Sequence, residues 1–283
     1  MLSEWLAQRA LIDAMSEAAG IDLVAFGCEA DDATVTDTAI AQPLIVAAGL
    51  LSYAALGSPP IDAVAGHSVG ELTALAVAGV ISAPQAVRLA AVRGRAMAEA
   101  AALEVTSMSA IVGGAPDDVD RAISASGAVA ANFNSSRQIV AAGTVAQLQA
   151  LAENPPPRAR VVPLAVAGAF HTQFMAPAVP AVRREIDVLE VRDPQCTLLT
   201  NRDGSAVTSG AQALENVIAQ ITSPVRWDLC QASLASATAL VELAPGGVLT
   251  GLAKHELRGI PAVPIVTKDD IPTARALLEE ASA

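Results

Sequence analysis

The residues of this sequence best suited to covalent chemistry lie in Gly66-His67-Ser68-Val69-Gly70-Glu71. A mostly apolar run, Ile61 to Ala65, precedes them, and a stretch of small and apolar residues, Leu72 to Val80, follows. The pattern predicts strand, tight turn and helix, with the serine at the apex. Glycines on both sides of Ser68 predict a turn in which bulkier residues would clash. A hydroxyl lifted to a helix N-terminus can attack a carbonyl carbon, and the Val69 N–H and the helix dipole can stabilise the resulting oxyanion. A serine that merely caps a helix gives the same local pattern. An activating base must therefore be found elsewhere.

The chain holds three histidines. His67 adjoins Ser68, so its side chain is expected on the opposite face, out of reach of the serine proton. His255 sits in Lys254-His255-Glu256, a charged helix end, and reads as a solvated surface residue. His171 follows Val166-Ala167-Gly168-Ala169-Phe170, a junction lined by small residues where two parts of the chain are expected to meet and form a cleft. It is the expected base. Asp187, Asp193, Asp203 and Asp228 all lie near polar or turn residues, and none has a claim as a third member. A backbone carbonyl can orient an imidazole equally well, so a Ser68–His171 dyad is chemically sufficient.

The elements that must position this pair read as α/β. A chain of 283 residues, 53% hydrophobic, suffices for one large domain with a smaller inserted module. Aromatics are only 2%, so the core must be Ala, Val, Leu and Ile, as suits a parallel sheet under close-packed helices. Helices are expected at 37–56 and 84–101. From residue 104 the texture changes: strands at 107–112, 129–133, 138–142 and 160–166 alternate with helices at 116–124 and 144–153. That order, β-α-β-β-α-β, is a ferredoxin-like module. The expectation is a parallel-sheet, α/β-hydrolase-like catalytic domain of residues 1–103 and 171–283, interrupted by a ferredoxin-like subdomain of residues 104–170.

The formal net charge of −12 argues against nucleic acid or an anionic membrane as partner. Cys28, Cys196 and Cys230 are odd in number, scattered and not in metal spacing, which fits a reducing cytoplasm. No apolar stretch of transmembrane length runs without an interrupting Gly, Pro or polar residue, and the first residues lack the pattern of a signal peptide. No apolar surface stripe stands out, so a monomer is expected.

Further segments carry a resemblance. They are Arg93-Gly94, Ala131-Asn132-Phe133-Asn134, Gln138 to Gly143, Gly168-Ala169-Phe170-His171-Thr172, Pro224-Val225-Arg226-Trp227 and Glu242 to Leu249. Together with residues 66–71, and in this order, they resemble the malonyl-CoA:acyl carrier protein transacylases and the acyltransferase domains of polyketide synthases. The resemblance runs over nearly the whole chain and implies the same inserted subdomain. It makes Ser68 the nucleophile, His171 the base and Arg93 the residue that binds the free malonyl carboxylate. A guanidinium suits that role, since its planar fork matches a carboxylate. It also makes the Gln220 main-chain carbonyl the group that orients His171, and Gln42 and Asn134 polar residues lining the site. Phe170 is implied to crowd a 2-methyl branch and favour malonyl. Malonyl-CoA and the phosphopantetheine arm of acyl carrier protein are then substrates, and no metal or redox cofactor is needed.

The chain also departs from that family. Family members open with a short strand and a Gly-Gln-Gly loop whose amide gives a second oxyanion donor. Met1-Leu2-Ser3-Glu4-Trp5-Leu6 aligns just after that loop, and no Gly-Gln-Gly occurs in the sequence. A central strand of about five buried apolar residues contributes on the order of 10 kcal/mol, so the natural start is expected upstream of Met1. Three other readings stay open at this point. An esterase would need a C-terminal histidine such as His255. A patatin-like lipase would pair Ser68 with Asp203-Gly204, a dipeptide that reads equally as a hairpin turn. A catalytically impaired homologue would serve as a binding subunit of a synthase complex.

Overall fold

Two long helices, Thr38–Leu56 and Ala83–Ala101, form the spine of the protein in a computed structural model that describes residues 1–281. Each has clear end signals. Asp37 caps the first by accepting from the Ala39 amide, and Gly57 ends it in the left-handed region. Ser82 and Gln85 form a reciprocal capping box on the second, with Pro84 in its first turn. The helices approach closely at Gly94, where a Cβ would lie 2.8 Å from the Thr38 carbonyl oxygen. Leu44, Ala47, Ala48 and Leu51 of the first and Val87, Leu89, Ala90 and Met97 of the second are buried in one core. This is the alanine- and leucine-rich packing that the scarcity of aromatics predicted. Among the described residues, Thr38–Leu56 is the one helix long and apolar enough to cross a membrane. Here 61% of its apolar window is buried inside the protein, as in a core helix.

The large part is α/β as expected, but its parallel pairing is divided between two short sheets. Ala63–Val64 pairs in parallel with Thr197–Leu199, which pairs antiparallel with Ala206–Val207. Leu240–Glu242 and Ala262–Pro264 form a separate parallel pair. The strands are short because breakers flank them: Pro59 and Pro60 before the first, Gly66 after it, and Pro261 and Pro264 around the last. Apolar burial in this part of the chain is accordingly carried mostly by helices.

Residues 106–163 form the β-α-β-β-α-β unit. Strands Thr106–Gly113, Val129–Ser135, Gln138–Thr144 and Ala159–Pro163 alternate with helices Pro116–Ser126 and Val145–Glu153. The spatial order is Ala159–Pro163, Thr106–Gly113, Gln138–Thr144, Val129–Ser135, with each neighbouring pair antiparallel. That is the ferredoxin-like arrangement. Ile111, Val119, Ile123, Ala141, Leu148 and Leu151 fill the space between its sheet and helices. Its last strand stops at Pro163 instead of running to Val166. Leu164 still donates to the Met108 carbonyl, but the Val166 amide then turns back onto the Leu164 carbonyl. A fifth strand, Val225–Arg226, comes from the C-terminal part and pairs in parallel with Asn132 and Phe133.

Candidate active site

Ser68 sits between strand Ala63–Val64 and helix Gly70–Val77 with φ at 53°, in the left-handed region. A non-glycine residue held there stores roughly 1–3 kcal/mol, so its surroundings must impose the conformation. They do so at both ends of the residue. The Ser68 amide donates to Asn201 Oδ1 at 2.8 Å, and its carbonyl accepts from Gln220 Nε2 at 3.1 Å and from the Glu71 amide at 3.0 Å. The two glycines of the turn are not equivalent, contrary to expectation. A Cβ on Gly66 would overlap the Gly70 carbonyl, whereas a Cβ on Gly70 would meet open space. Gly66→Ala is therefore expected to lower Tm by roughly 5–10 °C and Gly70→Ala by less than about 2 °C. Thermal melting of the two variants checks this, and equal melting points would refute it.

His171 faces the serine. Its Nε2 lies 2.7 Å from Ser68 Oγ, and its Nδ1 lies 2.8 Å from the Gln220 carbonyl oxygen. A carbonyl can only accept, so Nδ1 carries the proton and the Nε2 lone pair points at the serine hydroxyl. Gln220 ends helix Gly210–Gln220, where carbonyls lack helical partners. Burial, and after it the charge of Arg93, push the His171 pKa down to about 3. The ring is therefore neutral at pH 7 and free to take a proton. None of the four candidate aspartates joins the pair: Asp203 accepts from Ser205, Asp193 from the Gly210 amide and Asp228 from Arg226, while Asp187 is exposed.

The other histidines lie apart from this pair. His255 is exposed. His67 Nε2 donates to Asn134 Oδ1 at 2.8 Å, and its ring meets Trp227 edge-on at 5.7 Å. Asn134, expected to line the site, therefore sits behind His67 and not on the cavity wall. Its side-chain amide also donates to Gln138 Oε1, and its main-chain carbonyl accepts from Gln231 Nε2.

Arg93 projects from helix Ala83–Ala101 and is 1% exposed. Nη1 donates to Gln42 Oε1 at 2.6 Å, and Nη2 donates to Gln220 Oε1 at 2.8 Å and reaches within 3.5 Å of Ser68 Oγ. Its Nε is buried with no hydrogen-bond partner, and among the described residues no carboxylate pairs with it directly. Burial lowers its pKa to about 10, opposed by the charge of Glu71, so it stays cationic at neutral pH. Burial also raises Glu71 to about 7. Ser68, His171, Arg93, Gln42 and Phe170 line one cavity of roughly 230 Å³, with residues 165–167 also on its wall. The Val69 N–H has no hydrogen-bond partner among the described residues and can serve an oxyanion.

Three participants escaped the sequence reading. Asn201, two residues before the Asp203-Gly204 turn, is wholly buried: it accepts from the Ser68 amide and donates to the Gly66 carbonyl at 2.7 Å. The Gln220 side chain contributes as much as its carbonyl. Glu71 reads in sequence as a helix N-terminal acid, yet it is 4% exposed. The one available signal was its place inside the serine motif.

A serine paired with a neutral histidine at a strand-to-helix turn, beside an amide free to hold an oxyanion, can carry an acyl group as an ester. The fold and this site are those of a serine-dependent acyltransferase. The chain belongs to the acyl transferase domain family, whose pattern matches residues 7–277. It is 49% identical over 281 residues to the malonyl CoA-acyl carrier protein transacylase of Mycobacterium tuberculosis, covering 96% of this chain and 93% of that protein. It is 46% identical to the protein of the same name from Mycolicibacterium smegmatis, covering 96% and 98%. The crystal structure of MCAT from Mycobacterium tuberculosis superposes with a TM-score of 0.93 at 48% identity, covering 97% of this chain and 94% of that one.

Proposed function

We propose that this enzyme moves a malonyl group from malonyl-CoA to the phosphopantetheine thiol of acyl carrier protein, for fatty-acid synthesis, through an ester on Ser68. The observation that carries this reading is Arg93. A buried guanidinium with no carboxylate of its own shares one cavity with the serine–histidine pair. A buried cation of this kind favours a ligand that brings the missing negative charge. Ser68 Oγ attacks the thioester carbonyl as His171 Nε2 takes its proton, and the Val69 N–H receives the oxyanion. Collapse breaks the C–S bond, and His171 returns the proton to the departing CoA sulfur. The carrier thiol then gives its proton to His171 and attacks the ester, and Ser68 recovers the proton as it leaves. Phe170, beside the base on the cavity wall, would crowd a branch at the malonyl C2.

Acyl exchange between thiols moves no electrons, so the reading calls for no redox or metal cofactor. The lack of an apolar surface stripe in the sequence supports a monomer. Three free cysteines support the cytoplasm as its compartment, and a net charge of −12 does not favour nucleic acid or an anionic membrane. Incubation with malonyl-CoA followed by peptide mass spectrometry should find malonate esterified to Ser68, and holo-carrier protein should discharge it. CoA release without a malonyl-carrier product would overturn the reading in favour of a hydrolase. No ester at all would favour a binding subunit.

A further inference from the structure

One carboxylate in the site has no part in the steps above. Glu71 is buried, and among the described residues no basic side chain pairs with it directly. Its Oε1 accepts from the Asn201 amide at 2.9 Å, and its Oε2 accepts from Gln220 Nε2 at 2.6 Å. The same Gln220 nitrogen faces Asn201 Oδ1 at 3.0 Å and the Ser68 carbonyl at 3.1 Å. All three are acceptors, so the amide nitrogen must face them. That leaves Gln220 Oε1 to receive Arg93 Nη2 at 2.8 Å.

Only an acceptor at both ends satisfies position 71. A glutamine there would set an N–H against either the Asn201 N–H or the Gln220 amide nitrogen, and the conflict would be relieved by turning the Gln220 amide over. Its nitrogen would then face Arg93, donor against donor. The interposed amide has a second effect. A glutamate bonded directly to Arg93 would occupy the guanidinium and compete with any incoming carboxylate. Held one side chain away, Glu71 reaches Arg93 only through the Gln220 amide, and Arg93 Nε keeps no hydrogen-bond partner.

We propose that Glu71 is a positioning residue that acts through the Gln220 amide to hold Arg93 ready for the substrate carboxylate, and so sets the preference for malonyl over acyl groups without one. This role rests on the malonyl-transfer reading given above.

The test compares Glu71→Gln, Gln220→Met and the double variant, measuring acylation of Ser68 by malonyl-CoA and by acetyl-CoA. Gln220→Met keeps the main-chain carbonyl that orients His171. Each single variant is expected to lose about 10–10²-fold more in kcat/KM for malonyl-CoA than for acetyl-CoA, a loss shared by both substrates reporting the bond Gln220 also makes to the Ser68 carbonyl. The double variant should fall within about threefold of either single one, because both break one connection. Equal losses for the two substrates, or losses that multiply in the double variant, would overturn the role of Glu71 while leaving malonyl transfer intact. Should Glu71→Gln melt below the assay temperature, Glu71→Asp, whose shorter carboxylate no longer spans both donors, gives the substrate ratio instead, and an unchanged ratio would overturn the role. Failure of the unaltered enzyme to form malonyl-Ser68 would instead overturn the functional reading, and the positioning role with it.

Discussion

Ser68→Ala is expected to slow acyl transfer from malonyl-CoA by about 10⁶-fold, and His171→Ala by about 10²–10⁴-fold. The first change removes the atom that carries the acyl group. The second leaves the Oγ proton to water, 2.7 Å from where the Nε2 lone pair had been. The same nitrogen serves both half-reactions, so His171→Ala should slow acylation and discharge by similar factors. Rapid-quench measurement of each half-reaction checks this, and a loss below tenfold would mean that another group is the base. Because burial and Arg93 hold the His171 pKa near 3, nitrogen NMR of the free enzyme should find its ring neutral and protonated on Nδ1 down to pH 5. A positively charged ring at pH 6 would contradict the tautomer drawn here from the Gln220 carbonyl.

Arg93→Ala should lower kcat/KM for malonyl-CoA by about 10²–10³-fold, because the substrate carboxylate would be desolvated with no cation to meet it. Acetyl-CoA should lose far less. It has no carboxylate to pair, and in the natural enzyme the unpaired guanidinium penalises a neutral acyl group. The truncation also strips Gln42 Oε1 and Gln220 Oε1 of a donor and opens a void, so Arg93→Met, which keeps much of the volume, serves as control. Proportionate loss with both substrates in both variants would make Arg93 a structural residue and remove the main support for malonyl as the acyl group.

The chemistry of this site was more legible in the sequence than its wiring. The turn at Ser68 announces itself through local signals, because a glycine with no room for a Cβ and the start of a helix fall within five residues. The ferredoxin-like unit was legible for a related reason: its strands are long enough to show a pattern, and Gly113, Gly127 and Asn154 punctuate them. Strands of two residues, such as Ala206–Val207 and Val225–Arg226, have no periodicity to read, and Ala63–Val64 was legible only through the turn it feeds. Whether the large part holds one sheet or two therefore could not be read from pattern. Asn201 and Gln220 illustrate a different barrier. Both are ordinary residues for a turn and a helix end, and their importance comes from meeting Ser68 across 133 and 152 positions of chain. Asn134 was misplaced because a polar residue near a site can face either its cavity or the scaffold behind it.

The strand Val225–Arg226 bears on how substrate gets in. It joins the inserted unit through its pairing with Asn132 and Phe133, the Arg226 guanidinium stacks on the Phe133 ring at 4.7 Å, and Gln231 bonds the Asn134 carbonyl at 2.8 Å. Gln220, which orients His171, lies five residues ahead of that strand, and His171 itself lies just past the inserted unit's last strand. The base is thus anchored from both parts of the molecule at once. Swinging the two parts open like a jaw would break this ladder and pull His171 away from its carbonyl partner. Substrate entry is therefore expected to leave the two parts at fixed separation, past the exposed residues 165–167 on the cavity wall. The nucleophile and base are thereby held in register by the same strand that joins the two parts of the molecule.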